Sequence, residues 1–122
     1  MSTLLTSGRP GATLRAMTPP GEFELLVLLA VMRLKDEAYA IPVREEIEAR
    51  TGRAVARGAV YMTLDRLARK GYLRERGAPG GLERGGRPKR LFTVTATGTT
   101  ATRAAVAGLR RMQQGLPLFK EP

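Results

Sequence analysis

The sequence VYMTLDRLARKGYL, residues 60–73, decides the fold of this chain. Apolar residues recur in it at helical spacing and predict one buried face, with basic residues on the opposite side. Gly71 ends the predicted helix, because glycine adopts a positive φ at little cost, and a strand follows. The apolar positions are Val60, Leu64 and Leu67, and the basic positions are Arg66, Arg69 and Lys70.

A segment rich in glycine and arginine follows this helix and strand, at residues 77–90, and it ends in RGGRPKR. A cationic helix followed by a cationic hairpin is typical of a winged helix-turn-helix, whose helix enters the major groove while the wing contacts the DNA backbone. A flexible loop without a ligand has a similar composition, so the position of the segment after the helix favours the wing. The glycine pattern of a nucleotide phosphate loop is missing.

The order of predicted elements is three helices, a two-stranded hairpin and a last helix. The helices are expected at residues 22–34, 39–50, 57–70 and 99–114, the strands at 72–76 and 89–95, and a long loop at 77–88. The fold class is therefore mainly α with a small β-hairpin. We expect a disordered tail at 1–18, a winged helix-turn-helix domain at 19–96, a C-terminal dimerisation helix at 97–116 and a tail at 117–122.

The charge of the chain favours a polyanionic partner. The 122 residues carry a net charge of +10 and no histidine or cysteine. Nucleic acid is the first candidate partner and an anionic membrane the second. Between residues 50 and 90, Arg and Lys far outnumber the acids, which are only Asp65, Glu75 and Glu83. This segregation of charge indicates that one face of the protein, formed by the basic segment, binds the partner.

The missing residue types exclude most enzymes. Without histidine or cysteine there is no disulfide, thiolate nucleophile or common general base, and most zinc sites are excluded. The carboxylates Glu45, Glu46 and Glu48 could form a metal or acid–base site, but a solvated helix face explains them better. We therefore predict neither an enzyme nor a cofactor. The apolar run at residues 23–32 is too short to span a bilayer, which favours a cytoplasmic protein without membrane contact.

The third helix and the wing supply the candidate DNA contacts. Arginine can bind guanine through two hydrogen bonds, and hydroxyl and ammonium groups bind phosphate. A helix start also attracts phosphate through its free N–H groups. The candidate residues are Arg57, Tyr61, Met62, Thr63, Arg66, Arg69, Lys70, Arg84, Arg87, Lys89 and Arg90.

The last helix carries a stripe of small and apolar residues that nothing later in the chain can cover. It either folds back on the first helix or packs on its own copy in a dimer, and a mixture of the two is favoured. The first helix is apolar on nearly every side, so part of it is also expected to face a partner subunit. The predicted dimerisation residues are Leu26, Ala101, Ala105, Val106, Leu109 and Met112.

Several segments in this order resemble the PadR-type transcriptional regulators. They cover about residues 21–114, and the ordered combination is specific although each piece alone is weak. Ala40 stands where the family usually has glycine, and the pair at 91–92 is Leu-Phe where two aromatics are usual. The matching segments are ELLVLLA at 24–30, AYAI at 38–41, GAVYMTLDRL at 58–67, KGYL at 70–73, GGRPKRLF at 85–92 and TATG at 95–98.

The resemblance implies a homodimeric winged-helix repressor that binds a palindromic site in double-stranded DNA and dimerises mainly through the last helix. Some members bind flat aromatic effectors with an aromatic residue of the last helix, whereas this chain has none there before Phe119. An effector, if one exists, stays unidentified. The alternative function is a winged-helix interaction or architectural nucleic-acid-binding module without a specific operator.

Overall fold

The computed structural model describes residues 19–82 and 88–120. Four α-helices and one hairpin follow in the predicted order. The helices are α1 (Glu22–Leu34), α2 (Ala40–Thr51), α3 (Arg57–Arg69) and α4 (Ala96–Gln113), the antiparallel strands are β1 (Leu73–Leu82) and β2 (Pro88–Val94), and short 3₁₀ turns lie at Lys35–Glu37 and Pro117–Phe119. The expected fold class, mainly α with a small hairpin, is confirmed.

Local sequence signals explain where the helices begin and end. The side chain of Glu24 reaches back to the first turn of α1 and accepts the N–H of Gly21 at 2.9 Å. Gly52, with φ 74°, follows the end of α2, and Gly71, with φ 82°, separates α3 from β1. The Thr95 hydroxyl caps α4 by accepting the N–H of Gly98 at 3.0 Å.

One apolar core joins the three N-terminal helices to the hairpin. The predicted buried face of α3 lies within it, with Val60, Leu64 and Leu67 all at most 1% exposed. Phe92 of β2 is buried too, and its N–H donates to the Ala38 carbonyl at 2.9 Å, which ties the hairpin to the turn before α2. The other core residues are Val27, Leu28, Ala30, Val31, Ala38, Ala40, Val43, Ile47, Val55, Tyr72 and Leu73.

Two predicted boundaries were wrong. The strand expected at 72–76 continues to Leu82, because residues 77–82 stay in the hairpin, with an irregular register between Gly77 and Leu82. The last helix begins at Ala96, three residues before the expected position.

Gly98, which precedes the expected start of the last helix at residue 99, lies inside the first turn of α4. Gly98 is needed there because the chain passes very close to it. A Cβ at this position would lie 2.2 Å from the carbonyl oxygen of Tyr72 and 2.9 Å from a methyl carbon of Val94. Glycine therefore allows α4 to pack directly on Tyr72, in the connection between α3 and β1. This close approach explains a residue whose helix propensity alone suggests a stop.

Candidate nucleic-acid interface

The outward side of α3 carries several exposed side chains. Met62 is 64% exposed, an unusual position for a large apolar side chain in this domain. Arg57, Gly58 and Arg69 are exposed on the same helix, and Tyr61 is half-buried. Within the described residues, neither Arg57 nor Arg69 has a carboxylate within ion-pair distance. These side chains form a surface that can meet a DNA groove.

One predicted contact on α3 does not fit the structure. Thr63 is 3% exposed and lies in the interior, so its hydroxyl cannot reach a phosphate or a base in this conformation. The position follows from helix geometry. Thr63 is three residues after Val60 and four before Leu67, so it shares their inward face.

The end of α3 is bound to the start of α1 through a buried carboxylate. Glu24, with a side chain only 8% exposed, accepts two hydrogen bonds from Lys70 Nζ at 2.9 and 3.0 Å. Arg66 approaches the same carboxylate at 3.5 Å. Lys70 and Arg66 were both predicted to contact DNA, and in the structure both form ion pairs with Glu24. Arg66 keeps 42% of its side chain exposed, while Lys70 keeps 24%.

The environment of Glu24 stabilises its charged form. Burial would raise the pKa of this carboxyl, but the hydrogen bonds from Gly21 and Lys70 and the charge of Lys70 outweigh it, so the pKa lies below its ordinary value. Burial raises the pKa of the neighbouring Tyr72 phenol, and the negative charge of Glu24 raises it further. Glu24 is thus an ionised group that joins two helices.

A second ion network joins α3 to the hairpin. Arg90 of β2 donates from Nε and from one terminal nitrogen to the two carboxylate oxygens of Glu75 on β1, both at 2.8 Å. The same terminal nitrogen lies 2.6 Å from an Asp65 oxygen on α3. The hydrogen bond from Arg90 holds the pKa of the Glu75 carboxyl below its ordinary value, and Glu75 and Asp65 raise the pKa of the Arg90 guanidinium.

The remaining predicted wing contacts divide into two groups. The Lys89 ammonium lies 4.7 Å from the ring centroid of Tyr39, at the start of α2, in a cation–π geometry. Arg84 and Arg87 fall outside the described residues.

Side chains of α2 hold the turn that leads into α3, and sequence reasoning missed them. Arg44 Nε donates to the carbonyl of Val55 at 2.6 Å, and Glu48 accepts the N–H of Val55 at 2.9 Å. Both backbone groups of one turn residue are thereby fixed. The spacing of Arg44 and Glu48, at i and i+4, predicts a pair on one helix face but cannot reveal the backbone groups that they bind.

The other carboxylates of α2 are also engaged in structure. Glu46 accepts Arg33 of α1 at 3.0 Å and forms an ion pair with Arg50, so two helices share one carboxylate. Within the described residues, no group of three potential metal ligands occurs. In the same part of the chain, no helix is long and apolar enough to cross a membrane.

The predicted dimerisation residues follow one side of α4 and become more exposed toward its end. Ala101, Ala105 and Val106 are half-buried, whereas Leu109 is 54% and Met112 77% exposed. A groove of about 550 Å³ separates this side of α4 from the start of α1, where Pro20, Glu22 and Leu25 line it. Leu26 lies apart from that groove and lines an apolar groove of about 300 Å³ between α1 and α2.

Residues 28–104 match the model of the transcriptional regulator PadR-like family. This match spans more than half of the chain. The chain belongs to the PadR-like family. It is thus a transcriptional regulator of a non-enzymatic family with a DNA-binding winged-helix fold. The resemblance seen in the sequence is confirmed.

Solved structures share the PadR fold at low sequence identity. A PadR family regulator from Clostridium difficile R20291 is 19% identical, with a TM-score of 0.66, covering 81% of this chain and 98% of its own. One from Eggerthella lenta DSM 2243 is 21% identical, with a TM-score of 0.60 and coverages of 87% and 86%. A transcriptional regulator from Clostridium thermocellum is 14% identical, with a TM-score of 0.62 and coverages of 80% and 89%. No curated protein gave a significant match.

Proposed function

We propose that this PadR-family protein is a homodimeric repressor that binds a palindromic operator through α3 and the wing. The observation that carries the proposal is the outward side of α3, where Arg57, Met62 and Arg69 are exposed beside a fully buried apolar face. Such a helix, held by its inner face and followed by a cationic hairpin, fits the major groove. DNA as the target makes the cytoplasm its place of action.

The exposed residues have distinct roles in this proposal. Arg57 and Tyr61, at the start of α3, contact phosphate, where the free N–H groups of the helix add to the attraction. Met62 contacts base edges through apolar surface, and Arg69 supplies a guanidinium to a base or a phosphate. Lys89 and the predicted wing residues contact the backbone. Arg66 has donors that Glu24 does not use, and it contributes from the rim of this surface. The wing residues are Arg84 and Arg87.

Dimerisation through α4 is the second part of the proposal. The exposed side of α4 carries Leu109 and Met112, and apolar surface of this kind is normally covered by a partner. The groove between α4 and the start of α1 has room for side chains of a second α4. Two-fold symmetry would then place the two copies of α3 one turn of the DNA duplex apart, so that each meets one half of a palindrome. Leu26, which lines the separate groove between α1 and α2, contributes to the dimer from that side of α1.

The test of DNA recognition is selection of duplexes from a random pool at roughly 150 mM salt, a concentration at which backbone attraction alone is weak. We expect an enriched palindrome with half-sites about one helical turn apart. Retention of DNA without any motif would contradict the operator and support the architectural alternative. Binding that loses the palindrome but keeps a single half-site would contradict the dimer alone.

The test of the dimer is sedimentation equilibrium of the wild type and of Leu109→Glu. We expect the wild type to be dimeric and the variant monomeric, because a buried unpaired carboxylate opposes association. The matched control is Thr100→Glu, nine residues earlier and hence on the opposite side of α4, where Thr100 is exposed. A control that dissociates as strongly as Leu109→Glu would show that this side of α4 is not the interface.

A further inference from the structure

Asp65 is an acidic residue among the cations of α3, and its ion pair with Arg90 accounts for its presence there. The carboxylate lies on α3 and binds Arg90 of β2 at 2.6 Å, while Glu75 of β1 binds the same guanidinium through two further hydrogen bonds at 2.8 Å. Three elements therefore meet at one side chain. The guanidinium carbon of Arg90 also lies 5.4 Å from the ring centroid of the buried Phe92, which fixes the plane of the fork against the core.

The charge of this network argues against a phosphate ligand. Two carboxylates surround one guanidinium, so the network as a whole carries one negative charge and does not attract DNA. Two of the three guanidinium nitrogens are already donating to carboxylate oxygens. A phosphate could meet the third nitrogen alone, but a two-point contact with Arg90 would have to displace charge-assisted hydrogen bonds of good geometry.

The place of Arg90 in the hairpin gives the network a mechanical consequence. Arg90 faces Gly77 across the ladder, and Glu75 faces Phe92, so the Arg90–Glu75 pair ties the two strands together where the wing begins. The added bond to Asp65 sets the angle of that wing against α3. Among the described residues, the remaining packing of the hairpin on α3 is apolar, and apolar contacts fix an angle less well than directional hydrogen bonds.

We propose that Arg90 is a positioning residue, clamped by Asp65 and Glu75, that fixes the wing relative to the recognition helix and does not itself bind phosphate. This inference rests on the proposed DNA-binding function and replaces the contact that the sequence suggested for Arg90. DNA sequence specificity then depends on Asp65 and Glu75. A wing held at another angle could not contact the DNA backbone while α3 lies in the major groove.

The decisive variant is Asp65→Asn with Glu75→Gln, which retains every cation of the protein. If Arg90 acts as a clamp, we expect the affinity of this variant for the selected operator to fall about fivefold or more, because the lost charge-assisted, bidentate hydrogen bonds no longer fix the hairpin. The affinity for random duplex should not fall. Without a clamp, freeing Arg90 for phosphate would tighten binding to both DNAs, and the slope of log K against log salt would steepen by about 0.9. That outcome would overturn the proposal.

The matched control removes two carboxylates elsewhere. Glu22→Gln with Glu37→Gln changes the net charge equally. The Glu22 side chain is 78% exposed and pairs with Arg53, outside the hairpin, and Glu37 is exposed. We expect this control to retain the operator preference. Arg90→Lys gives a second check, because lysine keeps the charge without the planar fork. Operator binding by Arg90→Lys at wild-type strength would also contradict the clamp.

A measurement without DNA separates this inference from the proposed function. Amide hydrogen exchange in strands β1 and β2 should accelerate in the Asp65→Asn, Glu75→Gln variant and not in the control. Unchanged exchange in both variants would refute the clamp even if operator binding is found. If the wild type shows no operator preference at all, the proposed function fails, while the exchange experiment still tests the clamp.

Discussion

The two halves of α3 differ in how their charged side chains are engaged. In the first half, Arg57 is exposed beside Tyr61 and Met62. In the second half, Asp65 and Arg66 form ion pairs with other elements, as does Lys70, which follows the last residue of the helix. Among the described residues, Arg69 is the one cation of this half that is exposed without an ion pair. The cations of α3 are thus divided between those that hold the helix in place and those that stay exposed on its surface.

The connection that follows α3 gives the largest expected effect. Gly98→Ala places a Cβ against the Tyr72 carbonyl, a backbone atom that cannot rotate away. We expect the free energy of unfolding to fall by about 2–3 kcal/mol, as for overpacked cores, measured by urea denaturation. The control is Gly58→Ala in α3, where an added Cβ meets nothing within 4 Å. Equal stability of the two variants would show that the close approach is relieved at no cost.

The buried carboxylate that holds the second half of α3 gives the next effect. Glu24→Gln removes the charge opposite Lys70 and leaves the ammonium with a neutral partner. We expect a loss of about 1–3 kcal/mol in unfolding free energy, because one partner of a largely buried ion pair is removed. The matched control is Glu22→Gln, in the same turn, where the side chain is 78% exposed. Equal stability of Glu24→Gln and Glu22→Gln would mean that the Glu24 carboxylate does not hold the second half of α3 in place.

Substitutions of the neighbouring cations Arg69 and Lys70 should distinguish charge that binds DNA from charge that stabilises the fold. Arg69→Ala should weaken operator binding about tenfold, since it removes one of the charged contacts that we propose, and should change stability by less than about 0.5 kcal/mol. Lys70→Ala should do the reverse, with a clear loss of stability and a smaller loss of affinity, because Lys70 is bound to Glu24. Fluorescence anisotropy and urea denaturation of both variants check this. A larger affinity loss for Lys70→Ala would reverse the assignment.

The smallest effect is a pH dependence. The folded-state pKa of Glu24 is lowered, so its charge stabilises the protein fully above its unfolded pKa of about 4.3, and this contribution is lost as pH falls through the folded pKa. We therefore expect the stability difference between wild type and Glu24→Gln to be constant near neutral pH and to shrink below about pH 4. Urea titrations at several pH values measure it. A difference that stays constant down to pH 3 would mean that Glu24 is not the group that titrates.

The outcome at individual residues shows how far sequence reasoning reaches. Helical spacing placed Val60, Leu64 and Leu67 in the core correctly, and the same spacing applied to Thr63 would have buried it as well. The expected start of the last helix was three residues late, because helix propensity disfavours Gly98 and the contact that requires a glycine there is tertiary. The role of Glu48 could not be found, because its target is a backbone N–H seven residues away in a turn.

The sequence by itself determined the order of elements, the buried face of α3 and the family, because periodicity, glycine stops and motif order are local properties of the chain. Only the tertiary structure decided which cations are available to a ligand. The partners of Lys70 and Arg90 lie 46 and 25 residues away, at Glu24 and Asp65. Ion pairing depends on distances of a few ångström, and these are set by how the helices and the hairpin pack together.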